Sequence, residues 1–230
     1  GRLPAAGGPA GSWVPTPRTR LRRLPEKAVT QRAALHAILD AGRVAHVGIA
    51  PPPGTSGPAG PFVLPMAYAR DGERVLVHGS TGSRLVRALA SGAPACLTVT
   101  LLDGLVLARS AFESSMHYRS AMVFGAFAPL PEEQKLDALR LLTEHLLPGR
   151  WEHLRPPHRR ELAATAVLAL PLDECSVKVS AGPPDDPDED LSWPVWAGVI
   201  PLAEVAGAPV PAPDLRTDLP LAAVPREDTR

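Results

Sequence analysis

Two stretches rich in β-forming residues, PFVLPMAYAR (61–70) and ERVLVHG (73–79), are separated only by Asp71-Gly72. Asp-Gly between such runs is the strongest short-range hairpin signal, because tight antiparallel connections need positive φ, which Gly adopts freely and Asp tolerates. Strands this close in sequence have to pair antiparallel. A second Asp-Gly, at 103–104, lies inside ACLTVTLLDGLVLARSA (95–111) and predicts another pair of strands. Val44 to Ile49, YRSAMVFGAFAPL (118–130) and VLALPLDECSVKVS (167–180) read as further strand regions.

Helical patterns are few. Thr30 is placed to cap a helix whose Leu35, Ile38 and Leu39 share a face and which Gly42 ends. SRLVRALASG (83–92) has Leu85, Val86 and Leu89 at helical spacing. In 131–147, Pro131 and the acidic Glu132 and Glu133 suit a first turn, and Leu136, Leu139, Leu142 and Leu146 form a stripe. Parallel doubly wound sheets need strand and helix to alternate throughout, which this order does not do. The pattern predicts a small antiparallel β-barrel with peripheral helices. Pro65, which cannot donate to a ladder, belongs at an edge or a bulge.

Three regions divide the chain. Residues 1–27, rich in Pro, Gly and Arg, read as a flexible arm, 28–182 hold the barrel, and 183–230 form a Pro-rich tail. The loop APPPGTSGPAG (50–60) is long for a hairpin connection and reads as a flap. PPDDPDED (183–190) reads as a solvated acidic linker. SWPVWAGVIPL, which spans the Trp segment 193–202, is too apolar for a free tail and is expected to pack on something, a second subunit being one candidate.

Charge narrows the function classes. Lys plus Arg and Asp plus Glu both number 24, so no concentrated positive surface for nucleic acid is expected. No apolar run approaches the roughly 20 residues of a membrane span. The N-terminal stretch has no signal-like apolar core, and Cys96 and Cys175 form no CxxC pair, so a cytoplasmic setting is expected. His145, His153 and His158 are spaced too loosely to make a metal site.

One stretch carries possible chemistry. HGSTGSR (78–84) joins a strand to a helix through two glycines, three hydroxyl residues and an arginine. It reads either as a capped helix start or as an anion cradle. In the second case Gly79 and Gly82 permit close approach, Ser80, Thr81 and Ser83 supply hydroxyl donors, and Arg84 supplies a fork suited to phosphate. It has neither the P-loop nor the GxGxxG spacing. His78 stands beside this turn, as a structural histidine or as a participant. RSAFESSMHYRS (109–120) gathers further polar residues, among them Arg119 and Ser120, between two apolar strands.

FVLPMAYARDGERVLVHGSTGSRLVRAL followed by CLTVTLLDGLVLARSAFESSMHYRSAMVFG resembles the pyridoxamine 5′-phosphate oxidase-like flavoproteins, in particular their flavin-nucleotide-binding, nitroimidazole-reductase-like branch. The likeness runs over roughly 26–202. It implies a split β-barrel, a homodimer and FMN at the subunit interface. It also implies that Pro65, Met66, Ala67 and Tyr68 line the flavin, that Ser80, Gly82, Ser83 and Arg84 hold its phosphate, and that His78 lies near ring or phosphate as the candidate catalytic residue. Arg119 and Ser120 are the further cofactor or substrate contacts. The vitamin B6 oxidase carries a basic flavin strand where this chain has Val63-Leu64-Pro65-Met66, which argues against that substrate. The expected function is FMN-dependent oxidation or reduction of a small organic molecule, with a nicotinamide or deazaflavin donor. The alternative is a non-catalytic flavin or haem carrier, or a sensor, on the same barrel.

Overall fold

The hairpin forms where Asp71-Gly72 places it, with its turn one residue further on. In the computed structural model, which describes residues 11–50, 60–216 and 219–221, β3 (Phe62–Asp71) and β4 (Arg74–Ser80) pair from Tyr68↔Val77 to Asp71↔Arg74. The two turn residues are therefore Gly72 and Glu73. Gly72 has φ 58°, the sign that a type II′ turn requires at its first central position. Asp71 stays in the strand and holds Arg74, Oδ2 to Nε, at 2.8 Å.

Ten strands and four helices follow in the order β1 (Ala28–Val29), α1 (Arg32–Ala41), β2 (Val44–Ile49), β3, β4, α2 (Arg84–Ala90), β5 (Pro94–Leu107), β6 (Ser115–Ala126), β7 (Ala128–Pro129), α3 (Glu132–Leu146), α4 (Arg159–Ala164), β8 (Thr165–Pro171), β9 (Glu174–Ser180) and β10 (Gly198–Pro201). The strands form one antiparallel sheet ordered β1-β9-β6-β5-β2-β3-β4-β8-β7, with β10 added on β5. It curls around one core without closing. Val47, Tyr68, Val77, Leu97, Val123, Leu168 and Val177, each from a different strand, join Leu35, Ile38 and Leu39 of α1 in a single buried cluster. This is a split β-barrel. Among the described residues no helix is long and apolar enough to cross a membrane.

The split has a definite place. β3 pairs with β2 over Phe62–Ala67 and with β4 only from Tyr68 onward. Its first half therefore keeps one strand edge open, and Pro65 sits there, opposite His46. β4 continues instead beside β8, up to Ser80↔Thr165. α2 then lies so close to β4 that a Cβ on Gly79 would come within 2.6 Å of Val86 Cγ2.

Several expectations are corrected. Asp103-Gly104 makes no turn, since β5 runs on through it with a bulge between Leu102 and Gly104. The glycine serves β10, for a Cβ there would stand 3.0 Å from the Ile200 carbonyl oxygen. α1 starts after Gln31, not on a Thr30 cap, because the Thr30 carbonyl takes the Trp13 N–H. α3 buries Lys135, Ala138 and Leu142, while Leu136 is 46% exposed. The small residue lets the helix settle on Ala69, Leu76, Val167 and Ala169. Lys135 lays its stem along this seam and donates to the Leu162 carbonyl.

The arm and linker are tied down by single long-range partners. Of the arm, residues 11–27 are described: Trp13 packs on the core, and Thr16 and Arg18 both hold Glu174 of β9. Of the acidic linker, Asp186 has a side chain only 1% exposed, which accepts from the Arg109 backbone N–H and guanidinium. The Trp segment packs through β10, whereas Trp193 and Trp196 stay 66% and 63% exposed. The expected flap lies, but for residues 50 and 60, outside the described residues.

Tyr68 is fully buried, and its hydroxyl donates to the Leu39 carbonyl at 2.6 Å, one of the carbonyls that the end of α1 leaves without a helical partner. Tyr68→Phe should lower stability by about 1–3 kcal/mol, the cost of a buried acceptor left unpaired. Urea unfolding should show a lower midpoint at an unchanged slope.

Candidate functional site

The open half of β3 and the turn after β4 face one another across the split. Along β3, Pro65, Met66 and Ala67 join Val44, Arg43 and Leu146 around a shallow hollow of about 210 Å³. Tyr68 turns its ring into the core, so that position offers a ligand its backbone rather than its side chain. At the far end of the split the Arg84 guanidinium lies 4.8 Å over the Phe62 ring. Among the described residues Arg84 has no carboxylate partner.

The turn itself is largely self-satisfied. Thr81 N–H reaches the Ala164 carbonyl and Ser83 N–H the Ser80 carbonyl. The Ser80 hydroxyl accepts from Gly82 N–H at 3.2 Å, and the Ser83 hydroxyl caps α2 by accepting from Val86 N–H at 3.4 Å. The donors left over are the three hydroxyl hydrogens of Ser80, Thr81 and Ser83, the Arg84 guanidinium and the first N–H groups of α2. Gly79 serves the packing of α2, while a Cβ on Gly82 would meet only the Ser80 hydroxyl at ordinary contact distance.

His78 points the other way along β4, onto the face that carries α3. It forms one wall of a cavity of about 440 Å³ whose lining includes Leu139, Thr143, Trp151, Leu154 and Leu162. Among the described residues nothing hydrogen-bonds its ring, and burial lowers its pKa, which favours the neutral imidazole with a free lone pair. Arg155 and Glu161 stand at the same cavity as an ion pair. The Glu161 carboxylate also accepts from His158 N–H at 2.7 Å.

Arg119 and Ser120 are on β6, separated from β3 by β5 and β2. Arg119 forms a two-pronged pair with Asp103, the residue freed by the bulge, at 2.8 and 2.9 Å. Ser120 lies opposite Thr100 and Lys178. One chain therefore sets Arg84 against Phe62 at the start of β3 and leaves 119–120 two strands away from β3. Sequence reasoning missed Phe62, Arg43 and every cavity wall except His78. Their only signal was a tryptophan and leucines in a link otherwise rich in Pro and Arg.

Glu161 holds its proton unusually weakly, with its pKa lowered to about 2, first by the Arg155 guanidinium and then by the His158 N–H. A carboxyl depressed in the fold contributes stability above its unfolded pKa, roughly 4.3, which is lost as pH falls toward 2. Carboxyl ¹³C NMR should show Glu161 still charged at about pH 3.5, and Arg155→Ala should move its midpoint up toward roughly 4.3.

The fold has counterparts among known proteins. A family model described as pyridoxamine 5′-phosphate oxidase matches residues 31–179. The FAD and haem binding protein of Mycobacterium smegmatis is 45% identical over 85% of this chain and 93% of its own, with a TM-score of 0.79. The flavocytochrome Anf3 of Azotobacter vinelandii is 42% identical over 90% and 94%, with a TM-score of 0.82. A putative 5-nitroimidazole antibiotic resistance protein of Bacteroides thetaiotaomicron shares the fold at 21% identity over 66% and 86%, with a TM-score of 0.53. No curated protein sequence matches the chain. An unclosed antiparallel barrel split beside Pro65, together with that match across most of the chain, makes it a member of the pyridoxamine 5′-phosphate oxidase family.

Proposed function

We propose that this protein is a flavin-dependent redox protein that holds a flavin nucleotide along β3 and a haem against His78. The observation that carries the reading is a pair of unspent groups on β4 and its turn. Among the described residues Arg84 has no carboxylate and His78 has no hydrogen-bond partner, although most neighbouring polar groups are satisfied. The two relatives that share 45% and 42% identity are named for FAD and haem and as a flavocytochrome. The flavin expected here therefore widens from FMN to either nucleotide, since both present the same ring and the same first phosphate.

The residues present fit both groups. Arg84, with the Ser80 and Ser83 hydroxyls, would hold the flavin phosphate, and Pro65 to Ala67 would lie along its ring. His78 would be the iron ligand, neutral in an otherwise largely apolar cavity. A bound flavin supplies two-electron and one-electron chemistry, and a haem supplies a one-electron centre. The protein's part is to keep Arg84 aimed by stacking on Phe62 and to present the His78 ring to the cavity.

We further propose a homodimer. Met116, Leu105 and Ile200 stand in one row across β6, β5 and β10, 49%, 42% and 44% exposed. Beside them the Trp196 indole fills the place of a Gly198 side chain, 2.7 Å from where a Cβ would stand. Such an apolar row on a sheet face supports burial against a second copy.

Absorbance of the purified protein tests the cofactors, and chromatography of the heat-released flavin distinguishes FMN from FAD. Arg84→Ala should weaken flavin binding by about ten- to a hundredfold, the value of one charge-assisted hydrogen bond, without unfolding the protein. His78→Ala should abolish the Soret band and keep the flavin. A colourless protein that takes up neither group would overturn the reading. Turnover of small organic substrates with NADH, NADPH or a reduced deazaflavin separates an enzyme from a carrier.

A further inference from the structure

The chain as a whole is neutral, but the segment that walls one side of the His78 cavity is not. RWEHLRPPHRR, from Arg150 to Arg160, carries four arginines and a single carboxylate, Glu152. The acids of this region are already engaged: Glu152 pairs with Arg140 at 3.2 Å, and Glu161 with Arg155. Arg150, Arg159 and Arg160 are left without a carboxylate among the described residues, and Arg159 and Arg160 are exposed. Arg150 and Arg160 adjoin the wall residues Trp151 and Glu161 in sequence, and Arg159 lies between the wall residues Pro157 and Glu161.

Arg159 and Arg160 are also the first two residues of α4. The start of a helix favours acids, and Glu161 at the third position obeys that rule. Two cations there oppose the helix they begin, so folding does not account for them. None of the four is lysine, and protein-contact surfaces favour arginine over lysine because the planar fork is weakly hydrated and gives directed bonds.

Building on the flavin-and-haem reading, we propose that this arginine rim is the docking surface for an acidic one-electron carrier protein that reduces the group held against His78. Each encounter moves one electron: the carrier is oxidised by one, the group at His78 is reduced by one, and no bond forms or breaks. A lipid surface would meet the same charges, but these arginines border a hollow, which suits a protruding acidic surface better than a plane.

A plant-type ferredoxin, strongly acidic, is the probe, titrated calorimetrically into the full chain with its cofactors. Binding should weaken at least about tenfold between ionic strengths of about 0.02 M and about 0.3 M. Arg159→Glu/Arg160→Glu should lose at least about tenfold in affinity at low salt, with flavin and haem absorbance unchanged, and should slow haem reduction by ferredoxin in parallel. The proposal is overturned if the double variant binds ferredoxin as the parent does. It is equally overturned if the basic carrier cytochrome c binds as well as ferredoxin, or if phosphatidylserine vesicles bind where ferredoxin does not. A missing haem band would sink the cofactor reading on absorbance alone, while calorimetry still decides the surface.

Discussion

The end of α1 is where this fold is pinned. A helix leaves its last carbonyls without partners, and here they point into the protein. Tyr68 of β3 donates its hydroxyl to Leu39, and His145 of α3 donates its Nε2–H to Gly42, at 2.6 and 2.7 Å. The two rings are themselves in contact, 5.0 Å apart. Gly42 has to be glycine, since a Cβ would collide with Val99 and stand 2.7 Å from the Tyr68 hydroxyl. One helix end thus fixes the middle of β3 and the end of α3 together.

The position of the split follows from that constraint. β3 exchanges β2 for β4 as its neighbour at Tyr68, the residue held by α1. Everything before it on β3 keeps an open edge, and everything after Val77 on β4 is free to run along β8. Both proposed sites grow from this divergence. The open edge gives the hollow beside Pro65, and the continuing β4 carries His78 to the cavity and Ser80 to the turn. α3 borders both hollows, through Leu146 at one and Leu139 and Thr143 at the other.

What the sequence showed was what near neighbours decide. The hairpin at 71–72, the edge position of Pro65 and the short helix after the turn are set by a few residues each. Asp103-Gly104 carried the same signal as Asp71-Gly72 and meant something else, because Gly104 answers to β10, almost a hundred residues later. Thr16 and Asp186 looked solvated for a similar reason: their partners, Glu174 and Arg109, lie 158 and 77 residues away. The α3 face was misjudged by one position because a lysine stem can cover apolar surface as a leucine does. The cavity had no spacing to betray it, since its walls come from β4, α3, the 151–157 link, α4 and the start of β8.

Pairing sets Arg84 apart from the arginines on and beside the sheet strands. Arg70 is held by Asp40, Arg74 by Asp71, Arg109 by Asp186 and Arg119 by Asp103. Each of these spends its fork on a carboxylate, and several are half-sheltered, so an incoming anion would have to displace a strong partner. Arg84 is held only by the face of Phe62, an interaction worth about 0.5–1 kcal/mol at an exposed site. That is enough to orient the guanidinium toward the split and less than the roughly 1.5–3 kcal/mol of a charge-assisted hydrogen bond. A phosphate arriving at the turn therefore competes with a ring rather than with an acid. An arginine kept aimed but unspent, at the one place where the sheet comes apart, is the arrangement an anion site needs before its ligand arrives.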